Sequence, residues 1–163
     1  MVKVETFAVY PDKCAGCMAC SDVCSLVKEG EVRPGASRIK VVRREWQGIY
    51  FPVVCQQCAQ QSCATACPEG AIGRDARTGA TIVDREKCDL CGACVRACPY
   101  GAIHVDGGAM IVCDLCGGRP RCVEWCPHGA IKYLHLTPSQ RKNSMTEILK
   151  LKKVSGYKAA GVG

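Results

Sequence analysis

Sixteen cysteines in 163 residues, set out in four runs of four, constrain this chain more than any other feature. The runs are Cys14, Cys17, Cys20 and Cys24; Cys55, Cys58, Cys63 and Cys67; Cys88, Cys91, Cys94 and Cys98; and Cys113, Cys116, Cys122 and Cys126. A thiol content near a tenth of the chain admits disulfides, zinc or iron-sulfur clusters. Disulfides need an oxidising compartment. The opening Met-Val-Lys-Val-Glu-Thr-Phe-Ala has no basic stretch leading into an apolar one and no twin arginine, so a reducing cytoplasm is expected. Structural zinc sites set two cysteine pairs well apart, whereas here four thiols crowd into eleven to fourteen residues. That crowding favours iron-sulfur clusters.

The rest of the composition agrees. With two Phe, two Trp, 17 Gly and 8 Pro the apolar core is thin for this length, and metal ligation would staple it. No apolar run approaches a membrane span, so direct membrane insertion is not expected. The formal charge of +7 invites a nucleic-acid reading. It fails on two counts. Four cubanes, each about −2 with its thiolates, bring the loaded chain near neutrality. The surplus is also local: from Thr137 to the end, Arg141, Lys142, Lys150, Lys152, Lys153 and Lys158 face Glu147 alone. Residues 137–163 are expected to form a basic tail with a short amphipathic helix over Ser139–Leu151, solvated or used for docking.

The motif Cys-Pro-x-Gly-Ala-Ile recurs at Cys67–Ile72, Cys98–Ile103 and Cys126–Ile131, each time closing a run. The first and third runs are spaced x2, x2, x3, the second x2, x4, x3 and the fourth x2, x5, x3. A short loop of this kind offers three thiolates to three corners of one cube. Small residues (Ala15, Gly16, Ala19, Gly92, Ala93) let backbone N–H groups approach the sulfurs. The last two cysteines of each run are one turn apart if the link is helical. Pro68, Pro99 and Pro127 then end that turn and free the fourth thiolate to serve a different cube. The gap Pro68–Lys87 reads as a hairpin turning at Arg77-Thr78-Gly79-Ala80. It makes runs two and three a compact module, leaving runs one and four to pair around it.

Residues from about Thr6 to His135 resemble the four-cluster ferredoxin subunits that accompany molybdenum and tungsten enzymes. The resemblance implies an α+β fold of two bacterial-ferredoxin-like modules, short β-hairpins and short helices around four [4Fe-4S] cubanes. The cluster domain would span 1–136, with its inner module at about 52–105. The resemblance also implies the ligand sets. One cube takes Cys14, Cys17, Cys20 and Cys126, and a second Cys24, Cys113, Cys116 and Cys122. A third takes Cys55, Cys58, Cys63 and Cys98, and a fourth Cys67, Cys88, Cys91 and Cys94. Ser25 departs from the pattern, standing where the other runs have Pro.

The function so implied is non-catalytic electron transfer. The partners would be a large tungsten- or molybdenum-cofactor subunit, with the aldehyde oxidoreductase type favoured, and a flavin or other electron-accepting subunit. The alternatives are a free soluble polyferredoxin and a subunit of a dimethyl sulfoxide reductase-type molybdoenzyme. Head-to-tail self-association that lengthens the wire is a further expectation. No phosphate loop, Ser-His-Asp set or spare cysteine points to catalysis, and His104, His128 and His135 read as surface or packing residues. Arg33–Pro52 reads as strands joined by a loop, with Arg38, Lys40, Arg43, Arg44 and Trp46 as candidates to face a partner. Trp125 is placed to shield the cluster of Cys126.

Overall fold

A computed structural model describes residues 5–159. Its strands form four two-stranded antiparallel sheets, three of them hairpins closed by local turns. Strand β2 (Ile39–Arg44) pairs with β3 (Ile49–Val54), β4 (Ile72–Arg74) with β5 (Thr81–Val83), and β6 (His104–Asp106) with β7 (Ala109–Ile111). The fourth sheet joins distant parts of the chain: β1 (Glu5–Val9) meets β8 (Ile131–His135), in register from Glu5 opposite His135 to Val9 opposite Ile131. This pairing brings the first cysteine run beside the last.

The turn of β4 and β5 is held by Asp75, whose Oδ1 accepts the N–H groups of Arg77 and Thr78 at 3.1 and 2.7 Å, an Asx turn that fixes the hairpin. Four helices carry the second halves of the runs: α1 (Ala19–Glu29), α2 (Ser62–Thr65), α3 (Ala93–Ala97) and α4 (Arg121–Glu124). The last three are single turns because Pro68, Pro99 and Pro127 follow them. Between the runs sits a core built from Phe7, Val9, Ile39, Val42, Phe51, Val53, Val54, Ile103 and Ile131.

The C-terminal helix α5 (Pro138–Ser155) is longer than the Ser139–Leu151 segment expected from sequence. A capping box starts it: Thr137 Oγ1 accepts the Gln140 N–H and Gln140 Oε1 accepts the Thr137 N–H. Gly156, at φ 63°, ends it beyond Lys152 and Lys153, whose charges suit a helix C-terminus. The helix does not stand off as an appended tail. Ile148 is 1 % exposed and Met145 and Leu151 pack beside it; burying such a side chain contributes about 1.5–3 kcal/mol. Ser144 Oγ accepts the Val9 N–H at 3.4 Å, and Arg44 donates to the Ser155 carbonyl at 2.8 Å. The final Ala-Gly-Val-Gly of the sequence lies outside the described residues.

Candidate metal centre

The four runs share a backbone device. The residue before the second cysteine lies in the left-handed region each time: Gly16 (φ 69°), Gln57 (48°), Leu90 (61°) and Leu115 (59°). Such a residue turns successive N–H groups toward one concave side, a geometry that receives anionic sulfur. Glycine adopts it freely, and at Gly16 a Cβ would come within 2.7 Å of the Tyr50 ring. Gln57, Leu90 and Leu115 adopt it against their intrinsic preference, as residues around a functional centre often do. In the sequence only the glycines and alanines point to such a turn, because nothing in a Gln or Leu announces a positive φ.

The recurring Cys-Pro-x-Gly-Ala has a direct structural meaning. The Ala71, Ala102 and Ala130 N–H groups donate to Cys67, Cys98 and Cys126 Sγ at 3.3, 3.4 and 3.3 Å. Gly70, Gly101 and Gly129, at φ 58°, 68° and 62°, make the turn that aims them. Hydrogen bonds of this kind are one lever on a cluster's potential. The first run reaches the same end differently. With Ser25 in place of proline, α1 continues for eleven residues to Glu29. Ser25 Oγ donates to the Asp22 carbonyl at 3.0 Å and accepts the Arg33 N–H at 3.0 Å, tying down the loop after the helix. That loop delivers the Arg38 N–H to Cys24 Sγ at 3.3 Å.

The thiols assemble in groups. Cys14, Cys17, Cys20 and Cys126 line one cavity, closed by Val41, Pro52 and Ile131. Cys55, Cys58, Cys63 and Cys98 line a second with Tyr100 and Ile103. Burial pushes the Cys20 and Cys55 thiols up to about 12 and the Cys94 thiol up to about 11. Burial raises Cys113 and Cys122 as well, and the neighbouring thiols that add to each shift show which sulfurs are close. Cys122 feels Cys24, Cys20 and Cys116; Cys113 feels Cys55, Cys122 and Cys24; Cys94 feels Cys88 and Cys67. Cys91, between Cys88 and Cys94 in sequence, is exposed, as is Cys17.

Burial works against bare thiolates in these pockets, and a positively charged core bound there would favour their ionisation. Among the described residues, no three Cys, His, Asp or Glu side chains converge as around a single ion. Eight of the sulfurs line the two cavities instead. Sixteen soft donors so spread, with N–H groups aimed at the fourth sulfur of each run, suit clusters whose iron atoms sit at separate corners.

Residues 46–135 match the family described as the 4Fe-4S dicluster domain, and residues 11–29 match the 4Fe-4S binding domain. The chain belongs to the 4Fe-4S dicluster family. It is an iron-sulfur electron-transfer protein. Over 129 residues it is 47% identical to the aliphatic sulfonate oxidoreductase polyferredoxin-like subunit of Pyrococcus furiosus, an alignment covering 76% of this chain and 74% of the relative. It is 38% identical over 134 residues to the NADH-dependent phenylglyoxylate dehydrogenase subunit beta of Aromatoleum evansii, covering 80% of this chain but 30% of that protein. Its fold is similar to a chain in the active site complex BamBC of benzoyl coenzyme A reductase, with a TM-score of 0.51, 24% identity and coverage of 90% and 89%.

The remaining residues singled out in sequence divide clearly. His104 is buried and its Nε2 donates to the Gly35 carbonyl at 2.9 Å, a packing role. Arg38 and Lys40 are turned inward. The first pairs with Glu29, and Lys40 Nζ donates to the Pro34 and Gly35 carbonyls at 2.6 and 2.8 Å, so neither is free to face a partner. Trp46, at the tip between β2 and β3, is 99% exposed and covers no core. Trp125 is 60% exposed, too open to seal the sulfur of Cys126 from water.

Proposed function

We propose that this iron-sulfur protein is the wiring subunit of a larger oxidoreductase, carrying four [4Fe-4S] clusters on the sets Cys14/17/20/126, Cys24/113/116/122, Cys55/58/63/98 and Cys67/88/91/94. The observation that carries the reading is the order of the thiol groups. Cys20 adjoins Cys122, and Cys113 adjoins Cys55, which links the first set to the second and the second to the third. Runs two and three supply both the third and the fourth set, so these are neighbours too. The first and fourth sets each bring one cysteine to the surface, Cys17 and Cys91, while Cys24, Cys113 and Cys122 between them are buried. A line whose two end sets each reach the surface suits entry at one end and exit at the other.

The clusters, when bound, supply one-electron chemistry. The chain itself holds them in line, keeps water from Cys24, Cys55, Cys113 and Cys122, and aims N–H groups at Cys24, Cys67, Cys98 and Cys126. The partner in this reading is a large catalytic subunit with a tungsten or molybdenum cofactor. Short gaps between the runs, 14 to 30 residues, favour the tungsten aldehyde oxidoreductase type over the dimethyl sulfoxide reductase type, and the Pyrococcus relative is named as a subunit of an oxidoreductase. Trp46 is the natural anchor for docking, since exposed tryptophans dominate binding energetics where they insert.

Anaerobic purification of the native complex, with iron, sulfide, tungsten and molybdenum measured on one sample, tests the proposal. The expected result is about four iron and four sulfide per cluster set, together with tungsten in a co-purifying large subunit. Molybdenum would move the partner to the second type, an uncomplexed chain would mean a free shuttle, and zinc in place of iron would overturn the reading.

A further inference from the structure

Two cations of α5 are directed at one thiol group. Arg141 Nη2 donates to the Gln56 and Gln57 carbonyls at 2.9 and 3.1 Å, within the loop between Cys55 and Cys58. Lys152 Nζ donates to the Pro99 carbonyl at 2.6 Å, next to Cys98. A third cation comes from β4: Arg74 Nη2 donates to the Gln57 carbonyl at 3.3 Å and to the Cys58 carbonyl. All three residues are half-buried; the Arg141 and Arg74 contacts are partly buried, and the Lys152 ammonium meets Pro99 at the surface. Among the described residues, none of them pairs with a carboxylate.

The other groups are treated differently. Beside Cys113, Lys28 is neutralised by Asp114 at 2.6 Å. Arg38, whose N–H serves Cys24, is neutralised by Glu29. Arg77 on the Gly117 carbonyl and Arg96 on the Cys91 carbonyl are exposed, as are Lys13 and Lys132 near the first run, and water and salt screen them. Among the described residues, only the Cys55/58/63/98 group has several partly buried cations without an ion pair; near Cys24 there is one, Lys40, whose Nζ is held by the Pro34 and Gly35 carbonyls.

A reduced cubane carries one more negative charge than an oxidised one, so a fixed cation nearby stabilises the reduced state and raises the potential. The effect grows where the cation is shielded from water. We propose that α5, acting with Arg74, makes the cluster on Cys55, Cys58, Cys63 and Cys98 the highest-potential station of the wire, where an electron rests between transfers. The basic C-terminal helix is then a tuning element clamped onto the cluster body. This rests on the four-cluster reading above.

The test is an anaerobic potentiometric titration followed by electron paramagnetic resonance on the isolated holoprotein and on R141Q, K152M, R74Q and R141K. K153Q removes the same charge from an exposed site on the same helix. Iron and sulfide are measured on every sample, so that loss of clusters, which would count against the wiring reading, is distinguished from a shift in potential. The expected result is that R141Q, K152M and R74Q all lower one and the same reduction step, the most positive one, while R141K restores it and K153Q moves nothing. Convergence of three substitutions from two elements assigns the step to the cluster they share. Unshifted potentials with full iron, a uniform shift of all steps, or a shift confined to a lower step would each overturn the proposal.

Discussion

Gln57 joins the two halves of the cluster body, and replacing it by leucine tests how much that junction contributes. Its side chain is buried. Nε2 donates to the Cys113 carbonyl at 2.9 Å, and Oε1 accepts from the Thr81 N–H at 2.7 Å and the Thr81 hydroxyl at 2.8 Å. One side chain therefore ties the second run to the fourth run and to β5. Leucine occupies the equivalent left-handed position in two other runs, at Leu90 and Leu115, so the substitution does not ask the backbone for anything this chain does not already do. What Q57L removes is polar. The Thr81 N–H and the Cys113 carbonyl are left buried without partners, at about 1–3 kcal/mol each. Apolar burial of leucine offsets about 1 kcal/mol, which leaves a net loss of roughly 3 kcal/mol. For a chain of this size, that lowers a melting midpoint by roughly 6–12 °C. The assay is an anaerobic thermal melt followed by cluster absorbance at one fixed scan rate, on Q57L, T81V and the double variant. T81V alone removes only a hydroxyl and should cost about 1 kcal/mol. Because the two residues share a hydrogen bond, the double variant should fall short of the sum. A midpoint within 2 °C of wild type for Q57L, or strict additivity, would refute the reasoning.

Three other perturbations follow from particular contacts. S25P would restore the Cys-Pro pattern of the other runs, yet it places proline inside α1 and removes the hydroxyl that receives the Arg33 N–H; a loss of about 3 kcal/mol or more is expected in the same melt, and a neutral outcome would mean that α1 does not matter. His104 is held down from 6.5 to about 4, first by burial and then by Lys40. A depressed histidine gives stability that is complete above pH 6.5 and is lost as pH falls toward 4, because the unfolded chain takes up the proton first. Against H104Q, wild type should therefore lose stability more steeply across that window, and parallel pH profiles would contradict this. W46A should leave iron content and melting midpoint unchanged, since the ring touches no core, but weaken binding to a catalytic partner roughly thirtyfold, as a loss near 2 kcal/mol at an interface anchor would; unchanged affinity in titration calorimetry would remove Trp46 from the interface.

The four cysteine runs and the turns that close three of them were legible in the sequence because they are local features. Three thiolates for one cube come from a single short loop, so spacing reveals them, and the prolines after Cys67, Cys98 and Cys126 show where each helical turn must stop. The β4–β5 hairpin was legible for the same reason from its Arg77-Thr78-Gly79-Ala80 turn, although the Asx turn of Asp75 that holds it appears only in the fold. Ser25 was readable only as a break in the pattern. That its hydroxyl secures the loop and that the Arg38 N–H serves Cys24 depend on partners eight and fourteen residues away. The exposure of Trp46 and the inward turn of Lys40 were not legible either, because alternation along a strand does not say which face meets the rest of the molecule.

What the sequence determined by itself is the chemistry: sixteen thiols, their division into runs, and motifs that turn the chain tightly enough to receive a cube. What the tertiary structure decided is which group of thiols each distant charge serves. The cations of α5 looked like a solvated tail when counted along the chain, since charge counting carries no information about direction. Packing Ile148 into the core fixes the helix against the body, and only then do Arg141 and Lys152 fall beside the carbonyls that flank Cys55, Cys58 and Cys98. Electrostatic influence depends on distance and burial, and both are properties of the folded chain.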